Sequence, residues 1–274
     1  MSATGQESLQ AGLDALAAYA KRVKPETLLK VAGELIAVRD VFAAEARLRR
    51  ALTDPGQPAK ARSGLAEQVL SGKVSAGSLK IVLSLVNGRW GTPGELISAL
   101  ETVSVDAMLS AGLTQGVLND VEDELFRFGR LVDGDAGLAE ALSDSRADTV
   151  GRAKLVNTLL SGKANPITVR LAELAVRGFG GRRFDAGIAA LVDRTAAKRD
   201  QRVAYVTVAT PLPQDQENRL VERLTGIYGQ PVSAQVTVDP EIVGGIRVQI
   251  GHDLYDGTVA RRLTEARKAL AGGR

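Results

Sequence analysis

The sequence contains no cysteine and only one histidine among its 274 residues. The absence of cysteine excludes disulfides, thiolate metal sites and cysteine nucleophiles, and it is consistent with a reducing compartment. With His252 as the single imidazole, a zinc cluster is excluded and a Ser-His-Asp triad has no second candidate base. Because His252 lies in a Gly-His-Asp turn pattern, we interpret it as structural. We predict no catalytic residue, no cofactor and no metal.

Aromatic residues are also scarce, at 4% of the chain, whereas alanine and leucine recur throughout. Small aliphatic side chains suit close helix packing, so this composition favours helical bundles over β-sandwiches. The chain is 45% hydrophobic and 24% charged, which argues against a disordered or fibrous protein. Its length is enough for about two domains.

No basic N-terminal region followed by an apolar stretch is present, and no run approaches the ~18 apolar residues of a membrane span. We therefore expect no export signal and no direct insertion into the membrane.

Charge of one sign is not dominant either, because 35 basic residues nearly balance 32 acidic ones and leave a net charge of +3. The basic residues between Arg182 and Arg202 form one cluster, but no aromatic residues interleave with its second half as a base-stacking surface requires. We expect this stretch to be solvated or to face a protein rather than nucleic acid.

The helical part of the chain is an internal repeat with a constant offset of ninety residues, running without gaps from Glu34/Glu124 to Gly88/Gly178. Between residues 48–73 and 138–163, ten of 26 positions are identical. Each copy reads as several short helices, which predicts two helical bundles in tandem, at 1–104 and 105–200.

Two helices are marked by apolar residues at alternating steps of three and four. The first stripe is Leu28, Val31, Leu35, Val38 and Phe42. The second stripe is Val117, Val121, Leu125, Phe128 and Val132, and it begins among acidic residues that we interpret as a solvated face, Asp120, Glu122, Asp123 and Glu124.

The pattern changes after Arg202, where Val203 to Ala209 alternates and is rich in β-formers. A helix to Gly229, a strand over 232–238, a strand around Ile246 to Ile250 and a final amphipathic helix follow. The predicted fold class is therefore mainly α with a small α+β C-terminal domain, residues 201–274, of strand-helix-strand-strand-helix order.

The glycine-rich motifs do not fit nucleotide sites. Ser71-Gly72-Lys73 and Ser161-Gly162-Lys163 lack both the first glycine and the hydroxyl of a phosphate loop. We interpret Gly72 and Gly162 as left-handed helix caps. Gly178-Phe179-Gly180-Gly181 lacks the third glycine of the dinucleotide pattern, so we interpret it as a loop.

Five residues of the C-terminal part form a distinct signature: Gly244, Gly245, Asp256, Gly257 and Thr258. Two glycines at the start of a strand permit close backbone approach or positive φ, and Thr258 can cap the last helix. Asp239 to Leu263, which contains this signature, resembles the C-terminal signature of the ATP synthase delta subunit, the oligomycin-sensitivity-conferring subunit family.

The N-terminal part resembles the same family in Tyr19-Ala20-Lys21, in Leu52-Thr53-Asp54-Pro55 and in Leu79 to Val86. The second helical copy departs from the standard single helical domain, and this longer form resembles the actinobacterial members.

The resemblance implies a non-catalytic stator subunit in the peripheral stalk of a proton-translocating F-type ATP synthase. It implies a hetero-oligomer at the cytoplasmic face of the cell membrane, in which the helical domain binds an N-terminal helix of the F1 alpha subunit. The candidate interface residues for that contact are Leu16, Ala20, Leu79, Val82, Leu83 and Val86. The C-terminal domain would bind the b-type stalk through Val259, Arg261, Arg262, Leu263, Ala266 and Leu270.

Two other hypotheses remain open at this point. A repeat-built helical adaptor or RNA-binding protein would explain the duplication and the basic stretch, but not the C-terminal signature. An enzyme with a phosphate site at the glycine turns lacks the neighbouring residues that the chemistry requires.

Overall fold

The computed structural model describes residues 1–144, 146–199, 202–229, 231–240, 242–250, 253–259 and 261. The chain divides into two compact units, Met1–Lys198 and Arg199–Arg274. The first unit is helical and the second contains a four-stranded sheet. This arrangement confirms the predicted fold class.

The first repeat copy begins with five helices whose bounds follow the predicted pattern. These helices are α1 Ala3–Ala20, α2 Pro25–Ala44, α3 Ala46–Thr53, α4 Ala59–Leu70 and α5 Ala76–Val86. The predicted stripe on α2 is confirmed, because all five of its apolar residues are buried.

The second copy reproduces α2 to α5 at the same offset and continues with one more helix. Its helices are α7 Leu118–Asp133, α8 Ala136–Ser143, α9 Thr149–Leu160, α10 Pro166–Val176 and α11 Phe184–Arg199. The bounds of α8, α9 and α10 are those of α3, α4 and α5 moved by ninety residues. The left-handed caps are also confirmed, with φ of 73° at Gly72 and 74° at Gly162.

A single helix, α6 Pro93–Gln115, belongs to both copies. It is the last helix of the first copy. It is also the first helix of the second copy, because it begins ninety residues after α1 begins. In the second copy, the last helix is α11. Residues 104 and 105, where the sequence predicts a boundary between bundles, are consecutive residues of α6, and the first compact unit contains both copies. The division of the helical region into copies at 1–104 and 105–200 stays a prediction.

The middle of α6 is buried on all sides. Thirteen of its residues are buried, including a continuous run from Ala99 to Val105, and α6 packs against α1, α2, α7 and α10. By length and mean hydropathy (1.4) α6 could cross a membrane, so the expectation that no stretch of the chain reaches this level is wrong. Because 67% of its most apolar window is buried inside the fold, packing between the copies accounts for this composition.

Each copy also contains one partly buried carboxylate that holds the start of a later helix. Glu34 Oε2 accepts hydrogen bonds from Ser75 N (2.9 Å) and from the hydroxyl of Ser78 (2.6 Å). Ninety residues on, Glu124 Oε2 accepts from Asn165 N (2.9 Å) and from the hydroxyl of Thr168. The interpretation of Glu124 as part of a solvated face is therefore wrong, because its oxygen satisfies backbone and hydroxyl donors of α10.

The second unit contains β1 Arg202–Val208, α12 Gln214–Tyr228, β2 Val232–Val238, β3 Ile246–Ile250 and β4 Asp253–Asp256. The sheet order is β2-β1-β3-β4, with β1 parallel to β2 and the other pairs antiparallel. Alternate residues of β1 and β3, Val206 and Val248 among them, form a core with Leu224 of α12.

Strand β4 is absent from the sequence prediction, which has a turn at Asp253 and another from Asp256. Leu254 and Tyr255 are both exposed, so the strand carries no alternation of buried and exposed residues. Tyr228 of α12 donates a hydrogen bond to Asp253 Oδ2 (2.9 Å) and thereby holds this short edge strand.

The signature residues form a closed connector that joins the start of β3 to the end of β4. Gly244 and Gly245 have φ of 74° and 91°, as the sequence predicts for positions where a side chain is unfavourable. Gly257 N donates to Ile246 O (2.9 Å), and Asp256 Oδ1 accepts from both Thr258 N (3.1 Å) and Thr258 Oγ1 (2.7 Å). These bonds to Thr258 lower the pKa of Asp256.

The predicted helix cap at Thr258 is confirmed, because its hydroxyl accepts from Arg261 N (3.4 Å). The connector therefore fixes where helical backbone begins, at Val259.

We expect Glu34→Gln to lower the free energy of unfolding by about 1–3 kcal/mol, because an amide cannot accept all the donors that now meet one carboxylate. Burial raises the pKa of Glu34, but the bonds from Ser75 and Ser78 offset this effect and the net shift is downward. The ionised Glu34 carboxylate therefore stabilises the fold fully above the ordinary carboxyl pKa of 4.5. This stabilisation is lost as the pH falls through the lower pKa of Glu34 in the folded protein.

Urea unfolding at several pH values checks this, with Glu140→Gln on the exposed surface of α8 as the control. The difference in free energy of unfolding between the wild type and Glu34→Gln should shrink at acidic pH. A difference that is the same at every pH would contradict a stabilising role of the ionised Glu34 carboxylate.

We expect Gly245→Ala to destabilise the C-terminal unit by about 2 kcal/mol or more. A Cβ at this position would lie 2.5 Å from Gly257 O and 2.8 Å from Thr258 Cα, on a backbone with φ of 91°. The control is Gly226→Ala in α12, where an added Cβ would meet no atom within 4 Å. This substitution should stabilise the helix by up to about 1 kcal/mol, because alanine favours the helix more than glycine does. Thermal unfolding measures both, and equal melting of the two variants would contradict the role of Gly245.

Candidate functional site

Helices α1 and α5 pack closely and antiparallel along one side of the first unit. Ser8 Oγ donates to Arg89 O (2.9 Å) and accepts from Arg89 N (2.8 Å), which ties the start of α1 to the end of α5. Further along, a Cβ at Gly12 would lie 2.3 Å from a methyl carbon of Leu85, so the two backbones are as close as glycine allows. The pair therefore forms a tightly joined two-helix face.

The six residues predicted to bind an alpha-subunit helix on this face divide into two groups. Leu16, Val82 and Val86 have no exposed surface and belong to the core. The other three, Ala20, Leu79 and Leu83, pack against that core but remain half-buried. Only the second group has surface that a partner could contact.

Two residues that the sequence analysis missed extend this surface. Leu9 and Leu13 of α1 are half-buried and pack against the same core. With Leu16 and Ala20 they continue a spacing of four, three and four residues, which is the helical signal that could have identified them. The half-buried apolar strip on α1 and α5 therefore comprises Leu9, Leu13, Ala20, Leu79 and Leu83, and we call it the α1–α5 strip.

The equivalent positions in the second copy, on α6 and α10, have a different chemistry. Leu16 corresponds to Asp106, whose carboxylate pairs with Lys198 of α11 at 2.9 Å, and Leu83 corresponds to Glu173. Helix α2 of the first copy also contacts α10, because Arg170 donates to Leu29 O and Arg177 to Asp40 Oδ2, both at 2.9 Å. A small cavity of about 280 Å³ remains between α2, α6 and α10. The second copy thus has no open apolar strip at this place.

Two of the predicted stalk-binding residues, Val259 and Arg261, lie directly after the Thr258 cap. Val259 is 39% exposed, and its N–H donates to Gly244 O (3.1 Å), so the connector holds it in place. Arg261 is exposed as well. Arg262, Leu263, Ala266 and Leu270 lie outside the described residues, and so does His252.

Comparison with known proteins gives one family. The family model described as "ATP synthase delta (OSCP) subunit" matches residues 105–270, which include most of the second helical copy and the C-terminal unit. The match begins within α6, the helix that both copies share.

Relatives extend the similarity to the first copy. A protein of Salinispora arenicola is 48% identical over 270 residues, covering 98% of both chains, and one of Salinispora tropica is 46% identical over the same length. A protein of Streptomyces avermitilis is 40% identical over 244 residues, covering 89% of both chains. All three are named ATP synthase subunit delta.

These matches exclude a helical adaptor or RNA-binding protein unrelated to ATP synthase. They cover both helical copies as well as the signature, so the duplication is shared with the relatives. The chain belongs to the ATP synthase delta (OSCP) subunit family.

Proposed function

We propose that the chain is a non-catalytic stator subunit that links the F1 alpha/beta head of a proton-translocating ATP synthase to a membrane-anchored b-type stalk. The observation that carries this proposal is the 48% identity over 98% of a protein named ATP synthase subunit delta. As a family member, the chain is a structural subunit of a membrane-associated hetero-oligomeric complex. Within it, the chain is peripheral at the cytoplasmic face, binds no nucleic acid and does not insert directly into the membrane.

The contact with the alpha subunit is assigned to the α1–α5 strip. An amphipathic helix binds a groove by inserting apolar side chains at intervals of three and four residues. Leu79 and Leu83 are one helical turn apart on α5, and Leu9 and Leu13 are one turn apart on α1. Two parallel rows of half-buried leucines on tightly packed helices match that requirement.

The first copy is favoured over the second for this contact. The family model matches the second copy, which would favour α6 and α10 by position in the sequence. Side-chain chemistry supports the opposite choice, because Glu173 replaces Leu83 of the strip, Asp106 replaces Leu16 beneath it, and α2 already contacts α10. Inserting an apolar helix there would leave carboxylates without water.

The stalk contact is assigned to the C-terminal helix that the connector begins. Val259 and Arg261 supply an apolar and a cationic group, and the sequence continues this pattern with Arg262, Leu263, Ala266 and Leu270. An acidic flank on the stalk helix would complement the arginines.

We expect Leu83→Glu to weaken binding of a synthetic alpha-subunit N-terminal peptide at least tenfold, because the new carboxylate loses water in the complex. Isothermal calorimetry on the full chain measures the affinity. The control is Leu131→Glu on α7, where the leucine is 57% exposed and the same substitution should leave the affinity unchanged.

A photo-crosslinking residue at position 83 or at its equivalent, position 173, distinguishes the two copies in the assembled complex. Crosslinks to alpha from 83 and not from 173 are the expected result. The reverse result would transfer the contact to the second copy.

We expect Val259→Asp to reduce capture of the b-type stalk at least fivefold in a pull-down, while binding of the alpha-subunit peptide persists. The added charge disfavours burial of this position against a partner helix. Loss of both interactions would indicate unfolding and contradict a specific stalk contact, and so would unchanged capture.

A further inference from the structure

A cleft of about 710 Å³ opens on the first unit between α2, α3, the start of α6 and the loop after α10. Its charged lining consists of five arginines and one carboxylate: Arg39, Arg49, Arg50, Arg177, Arg182 and Glu101. We call it the arginine cleft. Both repeat copies contribute to it, because Arg39, Arg49 and Arg50 precede the repeat junction whereas Arg177 and Arg182 follow it.

Two of the arginines are neutralised inside the fold. Arg39 Nε donates to Glu101 Oε1 (2.8 Å), and Glu101, which is only 3% exposed, also accepts from Gly180 N (2.9 Å). Asp40 pairs with Arg39 and with Arg177, both at 2.9 Å. The two nearby carboxylates are thus occupied by Arg39 and Arg177.

The other three arginines have no such partner in the part of the chain that the structure describes. Arg49 Nη1 donates to Phe42 O (2.9 Å) and Ala43 O (2.6 Å), which are neutral acceptors at the end of α2. Arg50 and Arg182 are exposed, and no described carboxylate lies within ion-pair distance of Arg49, Arg50 or Arg182. Three positive charges therefore face one opening without compensation.

A fourth cation lies beside the cleft. Arg194 lines a neighbouring cavity together with Glu101 and Arg182. Burial lowers the pKa of Arg194, and repulsion by Arg182 adds to that effect, although Asp106 opposes it. An anion bound near Arg182 would relieve this repulsion.

We propose that the arginine cleft binds an acidic segment of a partner polypeptide, with carboxylates paired to Arg50, Arg182 and Arg49. Planar guanidinium groups bind carboxylates through two parallel hydrogen bonds, and arginine is favoured for such contacts at interfaces.

The lining argues against other anions. Small-molecule sites are lined mainly by apolar and aromatic groups, whereas this cleft is lined mainly by charged and small residues. A surface that follows a nucleic-acid strand would need aromatic platforms for the bases, and none lines the cleft. An acidic peptide needs only the spaced cations that are present.

The arginine cleft is independent of the α1–α5 strip, because none of its lining residues belongs to α1 or α5. Binding at the cleft would contact both repeat copies at once and oppose their separation.

The test is fluorescence anisotropy of a labelled octaglutamate peptide with the full chain at low salt. Arg50→Glu/Arg182→Glu should weaken the peptide's affinity at least tenfold. The matched control is Arg47→Glu/Arg183→Glu, which makes the same charge change in the same helix and the same loop at positions outside the lining. The control should stay within twofold of the wild type.

Equal weakening by both double variants would show unspecific charge attraction and overturn the proposal, as would the absence of saturable binding to the wild type. Tighter binding of inorganic tripolyphosphate than of the peptide would also overturn it, in favour of a phosphate ligand. Binding of the alpha-subunit peptide and circular dichroism verify the fold. If the charge reversal unfolds the chain, Arg50→Gln/Arg182→Gln should still weaken peptide binding at least threefold, and unchanged affinity would overturn the proposal.

Discussion

The helical unit depends on the burial of α6 from all sides. A helix with apolar residues around its circumference is stable in water only if neighbours cover the whole surface. Helices α1 and α2 cover part of α6, and α7 and α10 cover another part. Helices of both copies therefore contribute to the burial of α6, which explains why two copies that look separate in sequence form one compact unit.

The duplication kept its internal polar anchors and changed its surfaces. Glu34 and Glu124 hold equivalent helix starts, and Arg62 and Arg152 occupy equivalent places in α4 and α9. Arg62 donates to several backbone carbonyls, among them Gln57 O at 2.7 Å, while Arg152 donates to Leu142 O at 3.1 Å. Such groups are costly to lose once buried, because their partners would remain unsatisfied. Positions that reach solvent carry no such cost, so the half-buried Leu83 in one copy can be Glu173 in the other.

Most helices could be predicted from the sequence because apolar residues repeat at helical intervals, as they do from Leu28 to Phe42. The sequence could not predict which residues of an apolar stripe reach solvent. Leu16 and Ala20 belong to one stripe, yet Leu16 is buried and Ala20 is half-buried, because different neighbours pack against them. The sequence also did not predict that α6 belongs to both copies. A helix that is buried on all sides has no polar face, so its pattern does not mark where it begins and ends. Strand β4 carries no alternation, and the partners of Glu124 lie about forty residues away along the chain.

The few charged residues of α6 explain how a load on one copy could pass to the other. Glu101 accepts from Arg39 of α2 and from Gly180 N after α10, so one buried carboxylate joins elements of both copies. Asp106, one and a half turns further on, pairs with Lys198 at the end of α11. Pulling the copies apart would strip partners from buried charges as well as expose apolar surface, and an unpaired buried charge costs several kcal/mol. The proposed stator role would gain from this arrangement, because the helix that fills the core also carries the ion pairs and hydrogen bonds between the two copies.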